Sequence, residues 1–196
     1  MKKFTILFLC ISTFSLAQVN QKVSFFPLEN VKLSNSIFSN ATDTNKKYLL
    51  SMNADRLLAP YLKEAGLQPK AENYPNWENT GLDGHIGGHY VSALALMYAS
   101  TGDLTIKKKL DYMIDELEIC QNASGNGYLS GVPNGKQIWK EIAEGNIKAN
   151  SFGLNNRWVP LYNIHKTYAG LRDAYYYTKS EKAKKMLIKL TDWMSN

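Results

Sequence analysis

Cysteine is almost missing from this chain: of 196 residues only Cys10 and Cys120 are cysteines, and only three, His85, His89 and His165, are histidines. A disulfide framework is therefore excluded, and a closed tetrahedral zinc site from this chain alone is not expected. Gly87 and Gly88 also separate the only closely spaced histidine pair. Long apolar runs are equally scarce, and past the first residues none reaches the length that spans a bilayer. The start itself, MKKFTILFLCISTFSLA, has two lysines, an apolar stretch from Phe4 to Phe14, and Ser15-Leu16-Ala17 as a small-x-small cleavage pattern. That is a secretory signal peptide over residues 1–17, and it places the chain in the periplasm or outside the cell. Cleavage after Ala17 removes Cys10, whose preceding Phe-Leu is a poor lipoprotein signal, and leaves Cys120 as the one mature cysteine.

Acidic residues are in deficit, with a formal net charge of +6 at pH 7, of which Lys2 and Lys3 supply two. The remaining basic clusters, Lys107-Lys108-Lys109 and Lys182, Lys184, Lys185, sit in stretches whose other positions are apolar at helical spacing, as solvated outer helix faces do. Nucleic-acid binding would interleave basic residues with exposed aromatics on one face, and here the two mostly occupy different segments.

What is abundant is helical periodicity broken by glycine-rich loops. Residues 18–43 read as an irregular or β strap with alternation in VSFFPLENVKLS. A helix is expected from Asn45 to Leu62, capped by Asp43 or Thr44 and ended by Gly66. A nearly all-apolar helix from Gly88 to Ser100 follows a long loop, and Thr101-Gly102-Asp103 connects it tightly to an amphipathic helix from Leu104 to Cys120. After the loop ASGNGYLSGVPNG come a short helix from Gln137 to Glu144, a helix opened by Pro160 and running to Thr178, and a last amphipathic helix. A shift of 77 positions lays Ala93 on Gly170, Leu94 on Leu171, Tyr98 on Tyr175, Thr101 on Thr178 and Lys107 on Lys184. A unit of inner helix, tight turn, outer helix and long return loop thus occurs twice. The expected fold is all-α, a partial (α/α) six-hairpin toroid over residues 44–196, with the long loops gathered on one rim.

Two stretches carry the candidate chemistry. WENTGLDGHIGGHYVSALALMY packs Trp77, Glu78, Asp83, His85 and His89 around four glycines and runs into the apolar helix. WVPLYNIHKTYAGLRDAYYY repeats the design with Trp158, Tyr162 and His165. With Tyr128 from the intervening loop, these residues are expected to line one cleft. Aromatic faces beside His and Asp hydrogen-bonding groups suit a sugar, whose C–H face stacks while its hydroxyls are held in-plane. The candidate substrate-binding residues are Trp77, Asp83, His85, His89, Tyr128, Trp158, Tyr162 and His165.

The phrases GLDGHIGGHYVSALALMYASTGD, CQNASGNGYLSG and WVPLYNIHKTYAGLRDAY resemble, in this order, the N-terminal part of the β-L-arabinofuranosidase-type glycoside hydrolases of families 127 and 146. The resemblance runs from about Val31 to Trp193. It implies a six-hairpin catalytic toroid acting on arabinose-containing glycans by a retaining mechanism. In that family a cysteine thiolate at a zinc site of three cysteines and a glutamate is the nucleophile, and a separate glutamate is the acid/base. Those motifs lie beyond the matching region, so no nucleophile, acid/base or zinc ligand is assigned here, and zinc is expected only in a full-length parent. The chain is accordingly expected to be a truncated product, a fragment or one part of a split reading frame. Two other readings stay open: a non-catalytic carbohydrate-binding remnant, and a toroid-type polysaccharide lyase or glycuronyl hydrolase using His165, Tyr162 and Arg157.

Overall fold

The computed structural model describes residues 23–196; the signal-peptide reading and Cys10 lie outside the described residues. Seven helices and one two-stranded sheet follow in order, consistent with the all-α expectation. They are α1 (Ile37–Ser51), α2 (Ala54–Ala65), α3 (His85–Thr101), α4 (Leu104–Ser124), α5 (Gly135–Ala143), β1 (Gly153–Leu154), β2 (Arg157–Trp158), α6 (Pro160–Thr178) and α7 (Glu181–Ser195). Two single 3-10 turns, Leu28–Asn30 and Asn76–Asn79, precede α1 and α3.

Side-chain caps fix four of the seven helix starts. Asp103 accepts from the amides of Thr105 and Ile106 to start α4, and Ser180 accepts from Ala183 to start α7. Each such cap is worth about 1 kcal/mol. Gly66, Gly102 and Gly125 end α2, α3 and α4 in the left-handed region, where a Cβ would be strained.

The N-terminal expectation needs correction. Helix begins at Ile37, inside the stretch read as a strap, and the single helix expected over 45–62 is two helices. Ser36 and Ser39 form a reciprocal capping box that nucleates α1. Asn53 breaks the run because its Oδ1 accepts from the amides of Asp55 and Arg56, while its own amide donates to the Tyr74 hydroxyl. The described residues before Ile37 contain no strand; the one strand pair, Gly153 opposite Trp158, lies in the loop before α6.

The core centres on α3. Its Tyr90, Val91, Leu94 and Ala95 pack with Leu57, Leu58 and Tyr61 of α2, Leu110, Met113, Ile114 and Leu117 of α4, and Ile164, Leu171 and Ala174 of α6. Burying each large aliphatic side chain contributes roughly 1.5–3 kcal/mol. Between α3 and α6 the approach is backbone to backbone: a Cβ on Gly88 would stand 2.3 Å from the Lys166 carbonyl oxygen, and one on Gly170 would stand 2.7 Å from the Gly88 carbonyl oxygen. Successive contacts pair Gly88 with Lys166 and Val91 with Gly170, so the two helices run parallel. The two repeated units therefore stand side by side, each inner helix followed by a tight connection to its amphipathic partner.

The basic clusters are only partly the solvated faces expected. Lys109 Nζ donates to the carbonyls of Leu50 and Met52 at 2.7 and 2.6 Å, satisfying the C-terminal end of α1. Lys182 bridges Asp115 and Glu118, which ties α7 to α4.

The Gly88 contact yields a prediction of unusual sign. Helix propensity alone favours Gly88→Ala by about 0.5–1 kcal/mol, but the added methyl collides with a carbonyl of α6, and overpacking of this kind costs typically 1–3 kcal/mol. Urea melting of Gly88→Ala is expected to show net destabilisation, and an unchanged or raised midpoint contradicts the close-packed α3–α6 contact.

Candidate functional site

The loop from Pro75 to Gly84 reverses direction through residues with positive φ, Asn76 at 64°, Gly81 at 113° and Gly84 at 91°. Gly84 has no side chain with which to cap α3, and Glu78 supplies the missing acceptor. Its Oε2 accepts from the Gly84 amide at 2.9 Å and its Oε1 from the Ile86 amide at 3.0 Å. The same Oε1 stands 2.6 Å from His85 Nδ1. At 3 % exposure a bare carboxylate would be costly, but here two amide donors, the nearby imidazole and the positive end of the helix surround it.

The rest of the loop is stitched to neighbouring helices. Asp83 folds back, Oδ2 accepting from the Gly81 amide at 2.8 Å and Oδ1 from Asn73 Nδ2 at 3.1 Å. Burial raises the Asp83 carboxyl above its ordinary range, with the Gly81 amide opposing. From α6, the fully buried Asn163 donates to the carbonyls of Leu82 and Asp83 at 3.2 and 2.5 Å. From α2, the Tyr61 hydroxyl donates to the Gly84 carbonyl at 2.7 Å, with Thr167 Oγ1 3.0 Å away. Burial pushes the Tyr61 phenol well up from its usual value, keeping it a donor.

On this base the rings of both stretches meet. His85 lies with ring centroids 6.3 Å from Trp77, 6.2 Å from His89 and 6.2 Å from Tyr162. Trp77 and Trp158 meet edge to face at 6.5 Å. His89 Nε2 is 3.4 Å from the Tyr162 hydroxyl, and Lys166 Nζ lies 4.4 Å from the Tyr162 ring centre. Trp77, Trp158 and Tyr162 are exposed while His85 is buried beneath them, which makes a shallow aromatic dish with an imidazole floor.

Six of the eight predicted residues therefore share one place at the starts of α3 and α6, with His165 at its edge, one turn beyond Tyr162 and exposed. Asp83 lies under the dish, pinning backbone and facing a polar cavity of about 450 Å³ with Asn73, Asn79 and Asn134. Tyr128 is not brought to the cluster. It is 1 % exposed, packed 4.7 Å from Trp193 of α7, and Gly135 gives its hydroxyl room. Reading from sequence passed over Asn163, Tyr61 and Lys166 and gave Glu78 no role. The signal for Glu78 was present, since α3 starts at a glycine and needs a carboxylate or hydroxyl from elsewhere.

A zinc-bound thiolate finds no fit among the described residues. Cys120 is buried in α4, and burial together with the nearby Glu116 charge pushes its thiol up to about 12. No three His, Cys, Asp or Glu side chains converge on a metal position among those residues. No step through zinc is derived for this chain.

Compared with protein families, residues 30–196 match the β-L-arabinofuranosidase, GH127 catalytic domain. The chain belongs to this family. A search of curated proteins finds no match. Membership in GH127 makes a glycan the expected class of ligand, and exposed indoles beside imidazole, phenol and amine groups suit one. No described helix is long and apolar enough to cross a membrane.

His89 registers the burial of its ring beside Lys166. Desolvation of its ring, then the charge of Lys166, lower its proton affinity from the usual 6.5, with the Glu78 carboxylate opposing. In an NMR titration His89 is expected to have a midpoint below that of an unstructured histidine, and Lys166→Gln is expected to raise it. Because the unfolded chain protonates this residue first, the contribution of His89 to stability is complete above about pH 6.5 and is lost as pH falls from there through the lower midpoint of the folded chain. A His89 midpoint at or above the ordinary value contradicts the packing described.

Proposed function

We propose that the chain is the sugar-recognising N-terminal part of a secreted glycoside hydrolase domain that acts on arabinose-containing glycans in the manner of a β-L-arabinofuranosidase. The observation that carries this reading is the convergence of Trp77, Trp158 and Tyr162 around His85 and His89, at the starts of two parallel helices. Rings take the apolar face of a furanose, and nitrogens and hydroxyls take its alcohol groups. In this reading the paired hairpins belong to an (α/α) toroid, residues 1–17 direct export to the periplasm or beyond, and neither the nucleophile nor the acid/base comes from these residues. The burial of Cys120 favours a second reading for the chain by itself, binding without turnover.

Binding and hydrolysis are separable by experiment. A β-L-arabinofuranosyl disaccharide is expected to change the tryptophan fluorescence of the chain saturably, with little or no release of arabinose. His165→Ala is expected to weaken binding by about two- to tenfold, the worth of one hydrogen bond of roughly 0.5–1.5 kcal/mol, and Trp158→Ala to weaken it at least as much. Lys108→Ala, exposed on α4, serves as the control with unchanged affinity. If neither Trp158→Ala nor His165→Ala alters binding while both remain folded, the cluster is not the sugar site. Rapid arabinose release by the chain alone contradicts the assignment of the nucleophile elsewhere.

A further inference from the structure

His85 has one ring nitrogen that the fold uses and one that it leaves over. Nδ1 is 2.7 Å from the Leu82 carbonyl oxygen and 2.6 Å from Glu78 Oε1. A carbonyl has no proton to give, and this carboxylate already accepts from the Ile86 and Gly84 amides. The hydrogen therefore sits on Nδ1, and in the neutral ring Nε2 is a lone-pair acceptor on the side away from Glu78. Among the described residues nothing donates to Nε2, although the side chain is only 4 % exposed. The neighbouring groups do not fill the need: Trp77 is engaged edge-on with Trp158, and the Tyr162 hydroxyl lies next to His89 instead. Nε2 is not sealed in as an orphaned buried atom, so this one free acceptor of an otherwise buried ring keeps an opening through which a donor can reach it from outside.

We propose that Glu78 is a positioning residue for sugar recognition, holding His85 through Nδ1 so that Nε2 accepts a hydrogen bond from a sugar hydroxyl. This rests on the sugar-binding reading of the same cluster. The polarity is specific. His85 takes a proton-donating hydroxyl, whereas Lys166 offers donors to the other oxygens of the ligand. Glu78 never touches the sugar; the Leu82 carbonyl fixes the tautomer, Glu78 beside the same nitrogen holds the angle of the ring, and the backbone amides of Gly84 and Ile86 fix Glu78 in turn.

The test is nitrogen-15 NMR of the histidine side chains in the whole chain at neutral pH, with methyl β-L-arabinofuranoside as the probe and tryptophan fluorescence as an independent record of binding. The expected result is an Nδ1–H tautomer for His85 and a probe-dependent shift at its Nε2. An Nε2–H tautomer overturns the proposal. So does probe binding, recorded by the tryptophans, that leaves both His85 nitrogens unmoved; that outcome spares the sugar-binding reading. No binding by either readout ends both. Glu78→Gln, if its helix content is retained, is expected to keep the Nδ1–H tautomer that the Leu82 carbonyl fixes, to shift the His85 nitrogen resonances and to bind the probe about two- to tenfold more weakly. Unchanged His85 nitrogen shifts and affinity in that folded variant show a merely structural carboxylate and overturn the proposal. Should Glu78→Gln not fold, the spectra of the unmodified chain decide.

Discussion

One buried carboxylate at the start of α3 holds the candidate site together. Glu78 satisfies two amides that an α-helix beginning at glycine leaves open, and it does so from outside the helix, six residues before Gly84. That arrangement frees the helix start from any capping side chain of its own. Tyr61 and Asn163 can then grip the Leu82–Gly84 carbonyls from α2 and α6, and His85 can be turned by the same carboxylate that caps the helix. Local fold and the geometry of the ring cluster here are one set of hydrogen bonds, so the loop cannot loosen without moving the His85 ring.

The glycines of the same stretch have an equally physical purpose. Gly88 admits α6 to backbone contact, and Gly87 admits Tyr61 and the Leu57 carbonyl. The close α3–α6 approach is what brings Trp158 and Tyr162 against Trp77 and His89, which lie far away along the chain. A wider spacing set by any side chain at Gly88 would separate the two halves of the cluster.

Helix content, the tight connection at Gly102 and the start of α6 at Pro160 were legible because periodicity, a left-handed cap and a fixed φ are local properties. The pairing of the Trp77 and Trp158 stretches was legible from the repeated helix pattern, which set α3 and α6 as equivalents. Tyr128 was misread because a glycine-rich loop looks exposed in sequence, and only tertiary packing shows it folded onto Trp193. The division between α1 and α2 was missed because the capping power of Asn53 depends on a free backbone turn, whereas apolar spacing continues across it. Lys109 looked like one more solvated lysine, since the carbonyls it meets belong to a helix more than fifty residues earlier. Glu78 and Asn163 were hardest to read, because their partners are backbone atoms, which a sequence does not display.

If the account is correct, the cluster and not the neighbouring polar cavity receives the sugar. The most direct measurement is a crystal structure of the chain soaked with a β-L-arabinofuranosyl disaccharide. The account predicts a furanose stacked in the dish formed by Trp77, Trp158 and Tyr162, with one hydroxyl in hydrogen-bond reach of His85 Nε2. A sugar seated instead among Lys63, Asn73, Asn79 and Asn134, with the dish empty, would contradict it.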